Sequence, residues 1–408
     1  MAYSKLAVMY GNQQQHLKSL EMAKKAYELR DRASEREKLY IAAYYAHAQG
    51  DYPGTLQAWK LYVQNYPRET SGHVNLGVSY ENNGDMEPAL AEQLQATQLD
   101  PLLAVAYSNA AFDFMALGKF EEANTILDQA YSHKLNGFFL HLHSYWLAIA
   151  RKDSAQMEKE AEQLKSTAPG KLGLTRVMIG QLAGSGQIKS ARELSRSVEQ
   201  NERELGRSED AENEGIDQLT GECEFGLKNE AQAQVLAALP SIKNISARLK
   251  AALVLARCGD VKRARQVADE VLRQYATDTS LNLVLAPQVF AAIDLRSGNA
   301  KAAIEELDKA GSYGRYDFGV HLMRAFSYLA GHDPAKALQE TQWPLTQKQY
   351  SLYPPYKLAQ VISARAYAAE GDNTKAREMY QDVLAAWKNA DAGLPLVEEL
   401  KAEYAKLQ

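Results

Sequence analysis

The residues of this chain that could do chemistry are few, and their spacing argues against most of it. His141 and His143 stand two apart in FFLHLHSYW. On a helix such residues point about 200° apart, so they cannot grip one metal ion, which needs i,i+4 spacing. Asp317-Phe318-Gly319 spells DFG. That aspartate holds magnesium in phosphoryl transfer only beside a glycine-rich loop, a strand lysine and an HRD loop. None of these accompanies it, and the string sits in YGRYDFGVHLMRAF just ahead of a helical pattern, so Asp317 is expected at a helix start. The strings GxSxG, HExxH and GxxxxGK[ST] do not occur. Asn244-Ile245-Ser246 fits a glycosylation triplet, a pattern common by accident. No catalytic residue, metal site or cofactor is expected.

The elements that carry these residues must be helices. The chain has 408 residues, 46% hydrophobic and 24% charged, with 12 prolines and 23 tyrosines; that balance excludes disorder and favours helix. The net charge of −5 comes without a basic block, which argues against nucleic acid, whose phosphates require clustered Lys and Arg. No apolar run approaches the 18 or more residues of a membrane span. The start, MAYSKLAVMYG, lacks the basic flank and apolar core of a signal peptide, so a cytoplasmic location is expected. Cys223 and Cys258 are too few for a disulfide framework and read as small buried hydrophobes.

A chain this long exceeds one conventional core unless it is built of repeats that pack only on their neighbours. Gly50, Gly84, Gly118 and Gly186 are separated by 34, 34 and 68 residues, and Ala89, Ala123 and Ala191 repeat the interval. A 34-residue period is that of the tetratricopeptide repeat, which this sequence resembles. In HVNLGVSYENNGDMEPALAEQLQATQLDP (73–101), Gly77 and Ala89 are small where two helices would cross. Tyr80 and the leucines fill the space beside them, Gly84 relieves the turn and Pro101 ends the unit. Ser34 and Glu37 are placed for a capping box ahead of another unit. The unit at 138–169 keeps Pro169 but loses the turn glycine. Beyond Gly186 the spacing loosens to gaps of 40, 33, 39, 33 and 40 between turn glycines at 186, 226, 259, 298, 331 and 371.

The expected fold is all-α: a right-handed superhelical solenoid of about eleven tetratricopeptide-like helix pairs, closed by a capping helix. Residues 1–198 form the regular array. Residues 199–215 (EQNERELGRSEDAENEG) form a charged helix or a hinge, the helix with an exposed face being favoured. Residues 216–408 form a degenerate array whose cap, 395–408, is opened by Pro395. The chain begins inside a first helix without a polar end repeat, which leads to the expectation that something precedes residue 1 in a longer parent.

Three stretches go beyond the generic repeat: AYELRDRASEREKLYIAAYYAHAQGD (26–51), NLGVSYENNGD (75–85) and WKNADAGLPLVEELKAEYAKLQ (387–408). Together they resemble the C-terminal repeat region of acidobacterial eukaryotic-like serine/threonine protein kinases, along essentially the whole chain. The resemblance implies a kinase domain in cis, a signalling role and, where a transmembrane segment joins the two halves, an extracytoplasmic location. The same array also follows other signalling or DNA-binding output domains. No kinase motif set is present in this sequence, so the chain is expected to be no enzyme itself.

Likeness to the tetratricopeptide repeat implies an inner surface lined by positions 2, 5, 9, 12 and 13 of each first helix. Carried onto this sequence they include Tyr40, Tyr44 and His47, then Val74, Val78 and Asn82, then Ser108, Phe112 and Met115, then Phe139, Leu142 and Trp146. That strip is aromatic and apolar, as a protein- or peptide-binding surface would be; equally, tight curvature would bury these side chains against one another. Tyr40 and Val74 stand where a carboxylate clamp would want Lys or Asn, which disfavours that ligand. In the second half Arg176, Arg257, Arg296 and Arg365 make either a mildly basic floor or solvated charges. The oligomeric state is left open. If Ala123 marks a helix crossing, Ala123→Arg overpacks it and lowers stability by roughly 1–3 kcal/mol or more. An unchanged melting curve would refute the 34-residue register in that unit.

Overall fold

The structure, a computed structural model, describes residues 1–13 and 15–407. Among these residues there are helices and turns but no strand. The first five pairs are α1 (Ala2–Asn12) with α2 (His16–Glu28), α3 (Glu35–Ala48) with α4 (Tyr52–Asn65), α5 (Thr70–Asn82) with α6 (Met86–Leu99), α7 (Ala104–Ala116) with α8 (Phe120–Ser132), and α9 (Phe138–Arg151) with α10 (Ser154–Lys165). Next come α11 (Ala168–Gly184) with α12 (Ile188–Glu204), α13 (Ser208–Glu224) with α14 (Lys228–Ala238), and α15 (Ile245–Cys258) with α16 (Val261–Gln274). The last are α17 (Ala286–Arg296) with α18 (Ala300–Asp308), α19 (Phe318–Ala330) with α20 (Pro334–Thr346), α21 (Pro354–Glu370) with α22 (Asn373–Ala386), and the terminal helix α23 (Pro395–Ala405). The cap thus opens at Pro395 as expected, and its final residue 408 lies outside the described residues.

Small residues set the crossings. A Cβ on Gly77 would run into the Gln93 side chain and come within 3.2 Å of the Ala89 carbonyl oxygen. Ala89, Ala123 and Ala191 have no solvent exposure. Gly84, at φ +76°, adopts the left-handed turn that glycine tolerates, and Gly50, Gly118 and Gly186 do the same. Where the fifth pair lacks its glycine, Lys152 takes the left-handed place at φ 56°. Ser34 and Glu37 form the capping box, and Asp51, Asp153, Asp260, Asp333 and Asp372 each accept an N–H at a second-helix start. Such caps stabilise a helix by about 1 kcal/mol each.

The chain divides into two compact units, Met1–Leu174 with Thr277–Ser280, and Thr175–Ala276 with Leu281–Gln408. The division falls inside α11, ahead of the 199–215 segment. That segment is the end of α12 and the start of α13 around a turn at Gly206. Its charges are not all solvated: Glu202, Glu209 and Asp210 are buried. Glu202 pairs with Arg176 (3.3 Å) and Arg207 (3.6 Å), because an acidic stretch on a packed helix must bring cations inside with it. Cys223 on α13 and Cys258 on α15 are buried as expected and are also joined as a disulfide, with Cα atoms 6.4 Å apart. Their separation of 35 residues is close to one period, which sets equivalent positions of successive first helices face to face.

The second unit closes on itself. The Trp387 indole N–H donates to the Gly184 carbonyl oxygen at 2.9 Å, and its ring packs on Phe225 at 5.2 Å. The Asp391 N–H donates to Gly186 O (3.0 Å), and the Lys189 N–H donates to the Asp391 carboxylate (2.8 Å). The Leu396 N–H donates to Phe225 O (3.2 Å). Gly184, at the end of α11, lies against the backbone of Leu352 with no room for a side chain. The WKNADAGLP segment is therefore the clasp that returns the last pairs of this unit to its first.

A second device recurs at fixed spacing. His73, His141 and His321, near the starts of α5, α9 and α19, each meet a glutamate 19 residues later on the partner helix. The distances are 2.6 Å to Glu92, 2.6 Å to Glu160 and 2.8 Å to Glu340. The other ring nitrogen of His73 faces Pro67 O at 2.9 Å, and that of His321 faces Arg315 O at 3.0 Å. With acceptors on both nitrogens of His73, the doubly protonated ring is the form that satisfies both contacts. At His73 the Glu92 hydrogen bond raises the imidazole above 6.5, burial opposing it.

Two outcomes follow from these contacts. Trp387→Phe keeps the ring but leaves the Gly184 carbonyl without its donor. It is expected to cost about 1–3 kcal/mol in urea unfolding, and an unshifted midpoint would show that closure is held elsewhere. A histidine raised in the folded state stabilises fully below its unfolded value and loses that contribution as pH rises through the folded one. His73 should accordingly titrate above 6.5 by NMR, and Glu92→Gln should bring it down. A wild-type midpoint below 6.5 would contradict the brace.

Candidate functional site

In the first unit the 34-residue period aligns equivalent residues of α3, α5, α7 and α9 in rows. One row is Tyr40, Val74, Ser108 and Leu142; the next is Tyr44, Val78, Phe112 and Trp146; a third is His47, Glu81, Met115 and Ile149. Half-buried are Tyr40, Tyr44, Val74, Val78, Asn82, Phe112 and Trp146. His47 keeps solvent access, although the protein crowded around it disfavours its charged form. Ser108, Met115 and Leu142 are buried. Met115 has no exposure at all and belongs to the core with Tyr107, Leu127, Leu140 and Leu147, so its side chain is core filling, not lining. Phe139 is 55% exposed and Val105, 34 residues before it, is 41% exposed.

Two aromatic clusters hold the strip in shape. Tyr40 stacks on Tyr44 with centroids 5.2 Å apart, and both rings stand edge-on to Trp59 of α4. Burial pushes the Tyr44 phenol well above its usual value, so it stays a neutral hydroxyl. At the other end His143 is the hub. Its ring lies 5.3 Å from Trp146, 5.7 Å from Phe112 and 6.1 Å from Phe139. Its Nδ1 sits 2.8 Å from the Ser108 carbonyl oxygen. Complete burial pushes this imidazole down to about 4, so it is neutral and donates through Nδ1. The Asn82 amide makes no hydrogen bond among the described residues.

Such a surface can bury apolar and aromatic side chains and offer a few hydroxyl and amide contacts. Ser108 Oγ lies 3.0 Å from His143 Nδ1, but both residues are buried in the packed strip and that nitrogen also faces the Ser108 carbonyl oxygen. His141 turns to Glu160 and Asn136 while His143 turns to Ser108, so the two do not converge. Among the described residues no group of three or more His, Cys, Asp and Glu could hold a metal ion. Asp317 caps α19, accepting from the Val320 N–H at 2.8 Å, as its sequence context indicates.

Of the four arginines expected to line the second half, three are held in ion pairs and do not form a free basic floor. Arg176 meets Glu214 (3.2 Å) and Glu202, Arg257 meets Glu224 (2.5 Å), and Arg365 meets Glu399 and Glu403, both at 3.0 Å. The Arg296 guanidinium lies over Gly259, where an added Cβ would come within 3.1 Å of it. Sequence reasoning did not place Val105, His143 or Glu81 on the strip, and weighed His143 only as a metal ligand. The first and third lie on rows that the 34-residue arithmetic reaches, and His143 stands one residue after Leu142.

Among solved structures the chain is similar to a tetratricopeptide repeat protein from Parabacteroides merdae ATCC 43184. Identity is 13%, 91% of this chain and 98% of that one are covered, and the TM-score is 0.31. Yeast Tom70 is similar at 10% identity, with 100% and 95% covered and a TM-score of 0.35. Human IFIT1, in a dimer with m7Gppp-AAAA, is similar at 17% identity, with 83% and 73% covered and a TM-score of 0.38. None of the curated proteins compared matches the chain. Residues 71–101, the α5–α6 pair whose crossing is described above, match the tetratricopeptide repeat family model.

Proposed function

We propose that the chain is a non-catalytic protein-interaction scaffold, with the inner strip of the first unit as its binding surface. Stacked helix-pair repeats generally present extended surfaces to protein partners. The observation that supports this most is the row Val105 and Phe139, which leaves large apolar side chains in solvent beside the half-buried Phe112 and Trp146. Rings already fixed around His143 lose little freedom on binding, which favours affinity. The ligand is a peptide or protein segment presenting aliphatic or aromatic side chains and little charge, since the exposed part of the strip carries almost none.

In this reading the array is a sensor or recruitment module of a signalling protein, working in the cytoplasm and bringing substrates or regulators to a linked output domain. A second reading is a fragment of a serine/threonine protein kinase whose ATP-dependent activity resides in a domain N-terminal to this chain. It is favoured by one observation, the likeness of the 26–51 and 387–408 stretches to the repeat regions of such kinases.

Peptides selected from a random display library against the whole chain should be rich in aliphatic and aromatic residues. Phe139→Ala combined with Trp146→Ala should weaken them at least about tenfold, the loss of one buried ring at a binding centre being about 1–2 kcal/mol or more, with the circular dichroism of the helices unchanged. Selected peptides that bind the double variant as tightly as the wild type would place the binding surface elsewhere.

A further inference from the structure

The third row of the inner strip holds an anomaly. Between His47 and Met115 stands Glu81, at the end of α5, and the carboxyl group beside it belongs to Asp113 of α7. Asp113 has no solvent exposure. Both of its carboxylate oxygens and one of Glu81 are buried without a donor, as is the amide oxygen of fully buried Gln93 on α6. Gln93 spends its N–H group on the Val74 carbonyl, 3.2 Å away. Among the described residues no cation compensates: the groups that act on Glu81 are Asp113 and Gln93, and the charged group that acts on Asp113 is Glu81.

Two bare carboxylates side by side, with three of their four oxygens out of water, would repel each other with nothing to offset the cost of desolvation. A hydroxyl of one group donating to the other removes the repulsion and supplies the missing donor. A metal ion is a poorer solution, because three oxygen-bearing side chains fall short of the six or more ligands of a hard cation. We propose that Glu81 and Asp113 share a proton that locks α5 to α7, so that the middle of the inner strip keeps its shape only while that proton is held. The lock stands on the carboxyl pair alone; its consequence for partner binding rests on the strip being the binding surface.

Burial supports the same direction, pushing Glu81 up to about 7 and Asp113 well above the usual carboxylate range. Carboxyls raised in the folded state bind protons that the unfolded chain has already released, so stability falls as pH rises from the acid side through neutrality. In the third row the residue next along is Met115, and the neighbours of the pair in sequence are Asn82 and Phe112. Loss of the proton therefore acts on the residues that join the two aromatic clusters.

The test uses the full chain and Glu81→Gln, with Asp113→Asn as the second variant should the first fail to fold. In either variant an amide donates to the remaining carboxylate and no proton is needed. At about pH 7 the infrared difference spectrum, wild type minus variant, should show one protonated carboxyl. Hydrogen exchange, corrected for its intrinsic pH dependence, should show α5 and α7 opening roughly tenfold more per pH unit between about pH 6 and 7.5. The variant should lose about one proton's worth of that slope. Absence of the infrared band, or equal slopes in wild type and variant, would overturn the lock. Neither readout involves a ligand, so failure of the lock is distinguishable from failure of the binding-surface reading.

Discussion

Close approach of two helices within each pair is the constraint on which the other features depend. At Gly77 even one methyl group would collide with Gln93 and crowd the Ala89 carbonyl, and the same crossing recurs wherever Ala123 and Ala191 stand without exposure. Two backbones this near leave no space between them for large side chains, which must lie on the flanks. On one flank they form the continuous core, with Tyr107, Leu127 and Leu140. On the other they form the rows of Tyr44, Val78, Phe112 and Trp146. The inner strip is therefore a by-product of the crossing: its period is that of the small residues.

Local chemistry made much of this legible in sequence. Turn glycines, capping aspartates, the Ser34–Glu37 box and the start of the last helix at Pro395 each depend on a few neighbouring residues, and a 34-residue interval repeats them. Long-range partners were not legible. The Trp387-Lys-Asn-Ala-Asp segment reads as a family-like ending, yet its meaning lies in Gly184, Gly186 and Phe225, about 160 to 205 residues earlier. The histidine braces repeat at a separation of 19, an interval that joins two helices of one pair and escapes a search for a period of 34. Burial within the strip also depends on packing. Met115 occupies the same row as exposed His47 but falls where core side chains converge, so one register position has two fates.

The two units handle internal charge in opposite ways. In the second, buried acids bring arginines with them: Glu222 holds Arg192 through two bonds at 2.7 and 2.8 Å, and Glu202 holds Arg176 and Arg207. Such pairs join α11, α12 and α13 and consume the cations that a basic groove would need. Among the described residues, the first unit has no arginine paired with its buried acids Asp113 and Glu160. His73 and His141 hydrogen-bond Glu92 and Glu160 at the flank of the pairs, and Glu81 with Asp113 is left to its own protons.

That difference bears on which unit can bind. A surface whose charges are already matched internally gains little from an ionic partner, because each new contact must compete with an existing ion pair. A surface with few charges competes with nothing but water, and apolar area is what water yields most readily. The first unit offers such area in Phe139, Val105, Phe112 and Trp146, on rings that are held in position by the neutral imidazole of His143. Protonating that imidazole would place a charge at the centre of the cluster. The depth of its burial, which drives the value down to about 4, keeps the cluster uncharged across the neutral range. Both titratable devices of the strip, His143 and the Glu81–Asp113 pair, thus act to keep its interior neutral, which is what the proposed recognition of apolar side chains requires.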